Sequence, residues 1–265
     1  MHRLEGKIAI VTGAGAGQGA AEARLLAELG AKVAATDIDA SAVESLVDDI
    51  NRTSPGSAIA LHHDVAARED WTRVMRDATD AFGQVTILVN NAGIHAHIPF
   101  EALTLEQWQE TMNVNAWSVF AGIQAVVPGM REAGGGSIIN IASAAVITAV
   151  GGMSVYTASK GAVDALTRGA AIELAPHNIR VNCVNPGIIQ TAIVERSFST
   201  EATLAAAASA VPLGRLGRPI DVAHVVAHLA SDESWFTTGA SFVVDGGASI
   251  EGGIGRVRER VAAAR

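Results

Sequence analysis

Short apolar runs alternate with longer segments of helical periodicity along most of the chain. The short runs have the length and the branched side chains of buried strands, whereas the longer segments repeat their apolar positions at the helical period. The predicted strands cover residues 8–12, 32–37, 58–62, 87–90, 137–141, 180–185 and 241–244. The predicted helices cover residues 19–29, 40–51, 68–82, 105–130, 154–174 and 220–231. This alternation predicts an α/β fold, with a doubly wound parallel sheet of about seven strands and helices on both faces.

The segment from residue 188 to residue 213 interrupts this pattern. It is long and rich in apolar residues, but it contains no convincing strand. A segment of this kind within a compact domain is typical of a lid over a binding site. We therefore expect one domain over residues 1–265, with a lid at about 188–213 and a C-terminal tail at 248–265.

Composition and charge exclude several classes of partner. Although 49% of the residues are hydrophobic, only 4% are aromatic, so the core is filled mainly by small and branched aliphatic side chains. The formal net charge of −8 argues against a nucleic-acid partner, which requires a basic face. The single cysteine, Cys183, excludes an intrachain disulfide and is typical of a reducing compartment. No apolar run approaches the roughly 18 residues of a membrane span, so we expect a soluble cytoplasmic protein with no membrane partner.

A glycine-rich loop follows the first predicted strand and opens the first predicted helix. It runs from Thr12 to Gly19 and reads TGAGAGQG. Glycines let the backbone turn sharply and approach a pyrophosphate, whose charge the helix N-terminus then binds. The lysine that ends a P-loop is absent, which argues against an NTPase. The spacing of Gly15, Gly17 and Gly19 also occurs in S-adenosylmethionine methyltransferases, so the loop alone leaves that class open.

Acidic or small residues follow the next three predicted strands. Asp37 ends the second strand, where a carboxylate can accept hydrogen bonds from both hydroxyls of an adenosine ribose. The alternative role of Asp37 is to cap the following helix, but Asp39 is better placed for that role. Asp64 and Val65 follow the third strand and are positioned to contact an adenine. The small residues of Asn90-Asn91-Ala92-Gly93 let the backbone run against a flat nucleoside.

Tyr156 is the only tyrosine in the chain, and Lys160 follows it at the spacing of one helical turn. The ordinary pKa of a tyrosine is about 10, which is too high for a good base near neutral pH. A neighbouring cation favours the phenolate, and two charges about 4 Å apart attract by roughly 4 kcal/mol at an effective dielectric constant of about 20. The pair is therefore a candidate for proton transfer, although this spacing also arises by chance in many helices.

Taken together, these motifs resemble those of the classical short-chain dehydrogenases/reductases over nearly the whole chain. The residues that carry the resemblance are, in order, Thr12-Gly13-x-x-x-Gly17-x-Gly19, Asn90-Asn91-Ala92-Gly93, Asn115, Ser143, Tyr156-x-x-x-Lys160, Pro186-Gly187 and Asp245-Gly246-Gly247. Gln18 departs from the pattern, because an aliphatic residue is common at its position. The resemblance implies a Rossmann-like fold and an oxidoreductase that moves a hydride between a nicotinamide and a secondary alcohol or ketone.

The resemblance also implies roles for single residues. Tyr156 would exchange the proton of the alcohol oxygen, and Ser143 would hydrogen-bond that oxygen, so both would bind substrate. Lys160 would hold the nicotinamide ribose and lower the pKa of Tyr156, while Asn115 would kink its long helix and bind a water that links Lys160 to solvent. The implied cofactor contacts are Gly13, Gly17, Gln18, Gly19, Asp37, Asp64, Val65, Asn91, Ala92, Gly93, Tyr156, Lys160, Pro186, Gly187, Ile189 and Thr191.

The residues further predict the cofactor and the kind of substrate. Asp37 would repel the 2′-phosphate of NADP, and neither residues 14–16 nor Ile38 supply a compensating cation, so we expect NAD. Apolar residues follow Ser143 and recur in the lid, which favours cyclic, aryl or terpenoid-like secondary alcohols as small-molecule substrates. These apolar residues are Ala144, Ala145, Val146, Ile147, Ile188, Ile189, Ile193, Val194 and Phe198.

Other functions compete with this interpretation. Within the enzyme class, the alternatives are a 3-oxoacyl-(acyl-carrier-protein) reductase and a hydroxysteroid dehydrogenase, and the former usually pairs with NADP and a basic docking patch. A methyltransferase has no use for Ser143, Tyr156 and Lys160 in this arrangement. A catalytically silent protein is disfavoured because all four catalytic positions are intact. The family resemblance also implies that the helices from Leu105 and from Ser154 pair across two-fold axes in a homotetramer.

His95 and His97 follow the Asn-Asn-Ala-Gly turn at the spacing of a two-residue metal clip. No third ligand is evident nearby, and hydride transfer of this kind needs no metal, so we expect no metal site. The remaining interpretations are a wall of the substrate entrance and solvated loop histidines.

Overall fold

The protein is described by a computed structural model that covers residues 4–95, 97–191, 194 and 200–251. Seven parallel strands form one sheet in the order β3-β2-β1-β4-β5-β6-β7, as the sequence predicted. The strands are β1 (Ile8–Thr12), β2 (Lys32–Asp37), β3 (Ala58–His62), β4 (Ile87–Asn90), β5 (Gly136–Ile141), β6 (Ile179–Pro186) and β7 (Ser241–Val244). Five of these strands have the predicted bounds, whereas β5 begins one residue earlier than predicted and β6 is longer by one residue at each end.

Helices cover both faces of the sheet. On one face, Leu26, Val43 and Val226 pack with Val11 of β1 into a single buried cluster. On the other face, Trp71, Val119 and Val163 pack with Ile10 and its neighbours. The helices of the first face are α1 (Gly17–Glu28), α2 (Ala40–Thr53) and α8 (Pro219–Ala230), and those of the second face are α3 (Arg68–Phe82), α5 (Ser118–Glu132) and α6 (Ser154–Leu174).

The strand order reverses at β1, which pairs with β2 on one side and with β4 on the other. The chain leaves β1 toward one face and β4 toward the other, so a crevice opens beyond the carboxyl ends of these two strands. The register places Val11 beside Val89, so the strands end together. The glycine loop after β1 therefore lies next to the Asn-Asn-Ala-Gly turn after β4.

The helix that the sequence predicted over residues 105–130 is interrupted. It consists of α4 (Leu105–Met112), a π-helical turn (Asn113–Trp117) and α5. The side chain of Ser118 donates to the carbonyl of Val114 at 2.5 Å, while its backbone N–H bonds to the carbonyl of Asn113. Asn115 lies within the turn and is fully buried. Single π-helical turns of this kind are frequent at functional sites.

The segment at 188–213 contains a helix that the sequence analysis missed, α7 (Glu201–Ser209). Its alanines have no amphipathic pattern, but alanine has the highest helix propensity, and Thr200 caps the helix by accepting from Thr203 N. Ile189 forms an isolated parallel bridge with Gly217 at the start of the segment. Ile193 and Phe198, two of the expected lid residues, lie outside the described residues, as do residues 252–265 of the predicted tail. Within the described part of the chain, no helix has the length and apolarity that crossing a membrane would require.

Candidate active site

Two glycines of the glycine loop lie too close to their surroundings for a side chain to fit. A Cβ on Gly19 would lie 2.2 Å from the carbonyl oxygen of Gly13, and one on Gly13 would lie 2.8 Å from Cα of Ala92. Gly13 and Gly17 have φ angles of +64° and +58°, a region that favours glycine. The N-cap residue of α1, Ala16, supplies no side-chain cap. The first backbone N–H groups of α1 therefore lack a side-chain acceptor, which fits an anion at this helix N-terminus.

The turn after β4 is tied to the glycine loop by hydrogen bonds. The side-chain amide of Asn91 donates to the carbonyls of Thr12 (2.9 Å) and Gly13 (3.1 Å). In return, the hydroxyl of Thr12 accepts from the backbone N–H groups of Asn91 and Ala92, both at 3.0 Å. Both side-chain hydrogens of Asn91 are used in this way, so its amide fixes the loop on which a dinucleotide would rest.

The acidic residues beyond β2 and β3 have separate partners. Asp37 accepts from the backbone N–H of Gly15 at 2.8 Å and from that of Asp39 at 2.9 Å. Asp39 itself caps α2 by accepting from Ala42 N, as the sequence predicted. Asp64 accepts from Ala66 N at 2.9 Å, which closes the turn after β3. The carbonyl of the buried Val65 accepts from the indole of Trp71, so Asp64 and Val65 lie in an ordered turn at the β3 end of the crevice.

A cavity of about 970 Å³ opens beyond the carboxyl ends of the central strands. Ten of the predicted site residues line it, namely Gln18, Asn91, Gly93, Ser143, Tyr156, Lys160, Pro186, Gly187, Ile189 and Thr191. Gly13, Gly17, Gly19, Asp37, Asp64, Val65, Ala92 and Asn115 are not among its lining residues. Some of the residues predicted to contact the dinucleotide thus line the cavity, and others lie in loops next to it, toward β2 and β3.

Ser143 and Tyr156 meet at one wall of this cavity. Ser143 follows β5, where its backbone N–H donates to the side chain of Asn185 at 3.2 Å and its hydroxyl accepts from Ala145 N at 3.1 Å. Tyr156 lies in the first turn of α6 and is half-buried. Burial raises the pKa of Tyr156 above its usual value, and hydrogen bonding with Ser143 opposes this rise. The sequence analysis did not identify Asn185, which β6 places beside Ser143.

Lys160 lies one turn further along α6 and is almost fully buried. Its Nζ donates to the carbonyl of Ile141 at 2.8 Å and lies 6.0 Å from the centre of the Tyr156 ring. Burial lowers the pKa of Lys160 to about 8. Burial, opposed by Ser143 rather than by Lys160, accounts for the direction in which the pKa of Tyr156 is shifted here, so the lowering of this pKa by Lys160 stays a prediction.

Asn115 joins the π-helical turn to both neighbouring elements. Its side-chain oxygen accepts from Ile94 N at 2.8 Å, and its side-chain nitrogen donates to Ile94 O at 2.9 Å and to Ser159 Oγ at 3.0 Å. Both N–H groups are therefore used by the protein. A Cβ on Gly93 would lie 3.2 Å from both Asn115 Oδ1 and Lys160 Nζ, so Asn115 and Lys160 approach the same glycine. The water link between them stays a prediction.

The two histidines after the turn also line the cavity. The rings of His95 and Tyr156 have centres 5.1 Å apart and are inclined by 63°. His97 lies against Gly152, because a Cβ on this glycine would be 2.6 Å from the imidazole. The position of the two histidines agrees with the substrate-entrance interpretation. Among the described residues, no group of three histidine, cysteine, aspartate or glutamate side chains could hold a metal ion.

Residues after β6 form the opposite wall. Gly187 lies so close to Asp245 that a Cβ would be 2.6 Å from the Cβ of this aspartate, and Asp245 in turn accepts from the backbone of Gly247 and Ser249. Thr191 reaches the glycine loop, since a Cβ on Gly17 would lie 3.3 Å from its methyl group. The Pro186-Gly187 and Asp245-Gly246-Gly247 motifs thus meet at this wall.

Comparison with known proteins agrees with this arrangement. The family model that matches residues 13–249 is described as enoyl-(acyl carrier protein) reductase and belongs to the short-chain dehydrogenase/reductase group. The chain is 42% identical to a 3-alpha-(or 20-beta)-hydroxysteroid dehydrogenase of Mycobacterium tuberculosis, over 92% of this chain and 90% of that protein. It is 37% identical to a 2,5-dichloro-2,5-cyclohexadiene-1,4-diol dehydrogenase of Sphingobium indicum, over 94% and 98% of the two chains. It is 39% identical to a cyclohexanol dehydrogenase of an Acinetobacter species, over 92% and 96%.

Proposed function

The chain belongs to the short-chain dehydrogenase/reductase family of oxidoreductases, and on this basis we propose that it is an NAD-dependent dehydrogenase of apolar secondary alcohols. The observation that carries the proposal is the convergence of Ser143, Tyr156 and Lys160 on one wall of the cavity. A hydroxyl, a phenol and a buried ammonium in this arrangement suit the removal of a proton from an alcohol.

We assign each of these side chains a step in alcohol oxidation. The hydroxyl of Ser143 holds the substrate oxygen, and Tyr156 in its phenolate form takes the proton of that oxygen. Lys160 is one helical turn away and buried, so its charge favours the phenolate more strongly than it would in water. A nicotinamide bound in this cavity would supply the hydride chemistry that interconverts the alcohol and the ketone.

The residues around the crevice fit a dinucleotide. The glycine loop and the uncapped start of α1 provide close backbone approach and free N–H groups for a pyrophosphate. Asp37 is proposed to bind the adenosine ribose, and Asp64 and Val65 to border the adenine. Pro186, Gly187, Ile189 and Thr191 form the wall proposed for the nicotinamide carboxamide.

NAD is favoured over NADP because of the charge at Asp37. This carboxylate lies beside Gly15, and the loop residues Ala14 and Ala16 carry no positive charge. A 2′-phosphate at this place would face a negative group with no cation to offset it. The family as a whole uses nicotinamide cofactors, so the choice between the two rests on this side chain.

The substrate proposed is a cyclic, aryl or terpenoid-like alcohol. Its support is the apolar wall formed by Ala144, Ala145, Val150 and Met153, together with the hydroxysteroid, cyclohexanol and cyclohexadiene-diol dehydrogenases among the relatives. Burial of apolar surface contributes about 25 cal/mol per Å², whereas a phosphate or sugar would lose hydration against these side chains. The alternative is a 3-oxoacyl-(acyl-carrier-protein) reductase, which is supported by the 40% identity of the chain to a protein of that name in Thermotoga maritima.

We further propose that residues 1–265 act as one dinucleotide-binding and catalytic unit, with a lid at about 188–213. Val194 and Val211 of this segment line the cavity, which supports its role as a lid.

A homotetramer is the proposed assembly, supported by exposed apolar side chains on α4 and α5 such as Leu105, Trp108 and Phe120. A cytoplasmic location is proposed from the single, reduced Cys183.

The test is a panel of alcohols assayed by the absorbance of reduced nicotinamide, with NAD and with NADP. We expect apolar cyclic alcohols to give the highest kcat/KM and NAD to be the preferred cofactor. A sugar alcohol that outperformed every apolar alcohol would overturn the substrate class, and a preference for 3-oxoacyl thioesters with NADP would favour the alternative. Light scattering at micromolar concentration tests the assembly, for which a stable monomer would be the contrary result.

A further inference from the structure

The ring of His95 contacts the ring of Tyr156, the proposed catalytic residue. Its ring centre is 5.1 Å from that of Tyr156, in an edge-to-face contact, and it lines the same cavity. A substrate oxygen bound by Tyr156 and Ser143 would place the neighbouring substrate carbons beside this imidazole. His95 is therefore positioned to contact the substrate away from its reacting oxygen.

The loop that carries His95 is fastened to the start of α6. The backbone N–H of Ile98 donates to the carbonyl of Gly152 at 2.7 Å. The ring of His97 lies against the α-carbon of the same glycine, which leaves no space for a side chain there. These contacts lie on the C-terminal side of His95, and the hydrogen bonds between Ile94 and Asn115 lie on its N-terminal side, so the imidazole next to Tyr156 is carried by an anchored loop.

Two other polar side chains that line the cavity, those of Asp245 and Thr148, are already used within the protein. The carboxylate of Asp245 accepts from Gly247 N at 2.8 Å and from Ser249 N at 2.7 Å. The hydroxyl of Thr148 donates to the carbonyl of Ala144 at 3.3 Å. His95, in contrast, makes no hydrogen bond to any residue within the described parts of the chain. Among the described residues, none competes with a polar group of a ligand for the nitrogens of this imidazole.

The environment of His95 favours a neutral imidazole. Part of the side chain is exposed, but burial of the remainder lowers its pKa, and the neighbouring His97 lowers it further. A neutral imidazole carries one donor and one acceptor. It therefore suits an uncharged hydroxyl or carbonyl oxygen better than a carboxylate, for which the surrounding apolar wall offers no permanent cation.

We propose that His95 binds a second, uncharged oxygen of the substrate, so that cyclic diols and hydroxyketones are preferred over alcohols with a single oxygen. The assignment rests on the proposed function, because it takes Tyr156 and Ser143 as the site of the reacting oxygen. His95 would then be a specificity-determining residue that contacts the substrate, in a cavity whose other free surface on that side is largely apolar.

The experiment compares substrates of matched shape. The probes are cyclohexane-1,4-diol, cyclohexane-1,2-diol and 4-methylcyclohexanol, in which a methyl group replaces the second hydroxyl. A neutral hydrogen bond contributes about 0.5–1.5 kcal/mol, and 1.4 kcal/mol corresponds to about tenfold. We expect the better diol to exceed 4-methylcyclohexanol in kcat/KM by about tenfold in the unmodified protein.

Three variants assign the preference to one side chain. His95→Phe keeps an aromatic ring beside Tyr156 but removes both nitrogens, so the diol preference should fall at least about fivefold. His95→Gln keeps a donor and an acceptor and should restore part of the preference. His177→Phe is the control, because His177 lies beyond the end of α6 and does not line the cavity; it should leave the ratio of kcat/KM for the diol to that for 4-methylcyclohexanol unchanged.

Results that contradict the assignment to His95 differ from results that contradict the proposed function. If the unmodified protein oxidises 4-methylcyclohexanol as well as both diols, or if His95→Phe lowers all substrates equally, the assignment to His95 is wrong while the proposed function stands. Loss of the preference in His177→Phe as well would also overturn it, because the effect would then not be specific to His95. If no alcohol is oxidised with either cofactor, the proposed function fails and this assignment fails with it.

Discussion

The carboxylate of Asp37 accepts a hydrogen bond of 2.8 Å from the backbone N–H of Gly15, within the glycine loop. A second hydrogen bond, from Asp39 N, fixes the other carboxylate oxygen. The negative charge at the end of β2 is therefore held beside the loop that follows β1. Since Asp39 caps α2, Asp37 is not needed as a helix cap, and its position supports a role in choosing the cofactor.

The first prediction concerns that choice. We expect NAD to exceed NADP in kcat/KM by about 100-fold if the discrimination amounts to about 3 kcal/mol. Asp37→Ala should narrow this gap, chiefly by weakening NAD, because both the repulsion of the 2′-phosphate and the ribose hydrogen bonds are lost. The measurement is kcat/KM for both cofactors with one alcohol.

Asp39→Ala is the control for this prediction. It removes the cap of α2 and should lower the stability of the protein, while the ratio of kcat/KM with NAD to that with NADP stays the same. Equal efficiency with both cofactors in the unmodified protein would contradict the role of Asp37.

The second prediction concerns the ammonium of Lys160. Burial raises the pKa of the Tyr156 phenol, so loss of the positive charge of Lys160 should raise this pKa further. Alcohol oxidation needs the phenolate, and Lys160→Ala should therefore move the rising limb of the pH profile of kcat/KM to higher pH. The exposed amine of Lys32, which donates to Gly56 O, provides the control in Lys32→Ala. An unchanged profile in Lys160→Ala would argue against electrostatic tuning.

The third prediction concerns Glu22, which is fully buried in α1 and has no hydrogen-bond partner for either carboxylate oxygen within the described residues. Burial raises its pKa from 4.5 to about 8. Between these two pKa values the folded protein holds a proton that the unfolded chain releases, so stability falls as pH rises through this range. At about 1.4 kcal/mol per pKa unit, the loss reaches several kcal/mol near pH 8.

Glu22→Gln removes the titration while keeping the size of the side chain. Its free energy of unfolding in urea should therefore depend less on pH than that of the unmodified protein, with the difference growing between about pH 5 and pH 8. Glu28→Gln, at the exposed end of the same helix, is the matched control and should show no such trend. A difference between Glu22→Gln and the unmodified protein that stays constant with pH would show that Glu22 ionises normally.

Much of the fold could be predicted from the sequence because the parallel strands are short, apolar and separated by long periodic helices. Two local features, a π-helical turn and one helix, are not predicted by the pattern of apolar residues. The π-helical turn at Asn113–Trp117 has normal helical periodicity on both sides, and its cause is a long-range contact of Asn115 with Ile94 and Ser159. Similarly, five of the nine residues of α7 are alanine, and amphipathic periodicity gives no signal for this helix.

In the candidate site, too, some features can be predicted from the sequence and others arise only from tertiary contacts. Tyr156, Lys160 and Ser143 carry spacing signals in the sequence, and the structure brings them together at the cavity. The contact between His95 and Tyr156 joins a loop after β4 to α6, so no spacing within one element could reveal it. The support that Asn185 gives Ser143 comes from the register of β5 against β6, which is likewise a tertiary relation.

The central claim is that Tyr156 transfers the proton of the substrate alcohol. Tyr156→Phe keeps the ring and its contact with His95 but removes the transferable proton. The most direct measurement is the turnover number of this variant with NAD and an apolar cyclic alcohol, alongside the affinity for NAD measured by calorimetry. We predict unchanged NAD binding and a fall in turnover of at least about 100-fold, the lower range for general acid–base catalysis. Retention of more than about a tenth of the unmodified turnover, which corresponds to less than about 1.4 kcal/mol of barrier, would contradict the account.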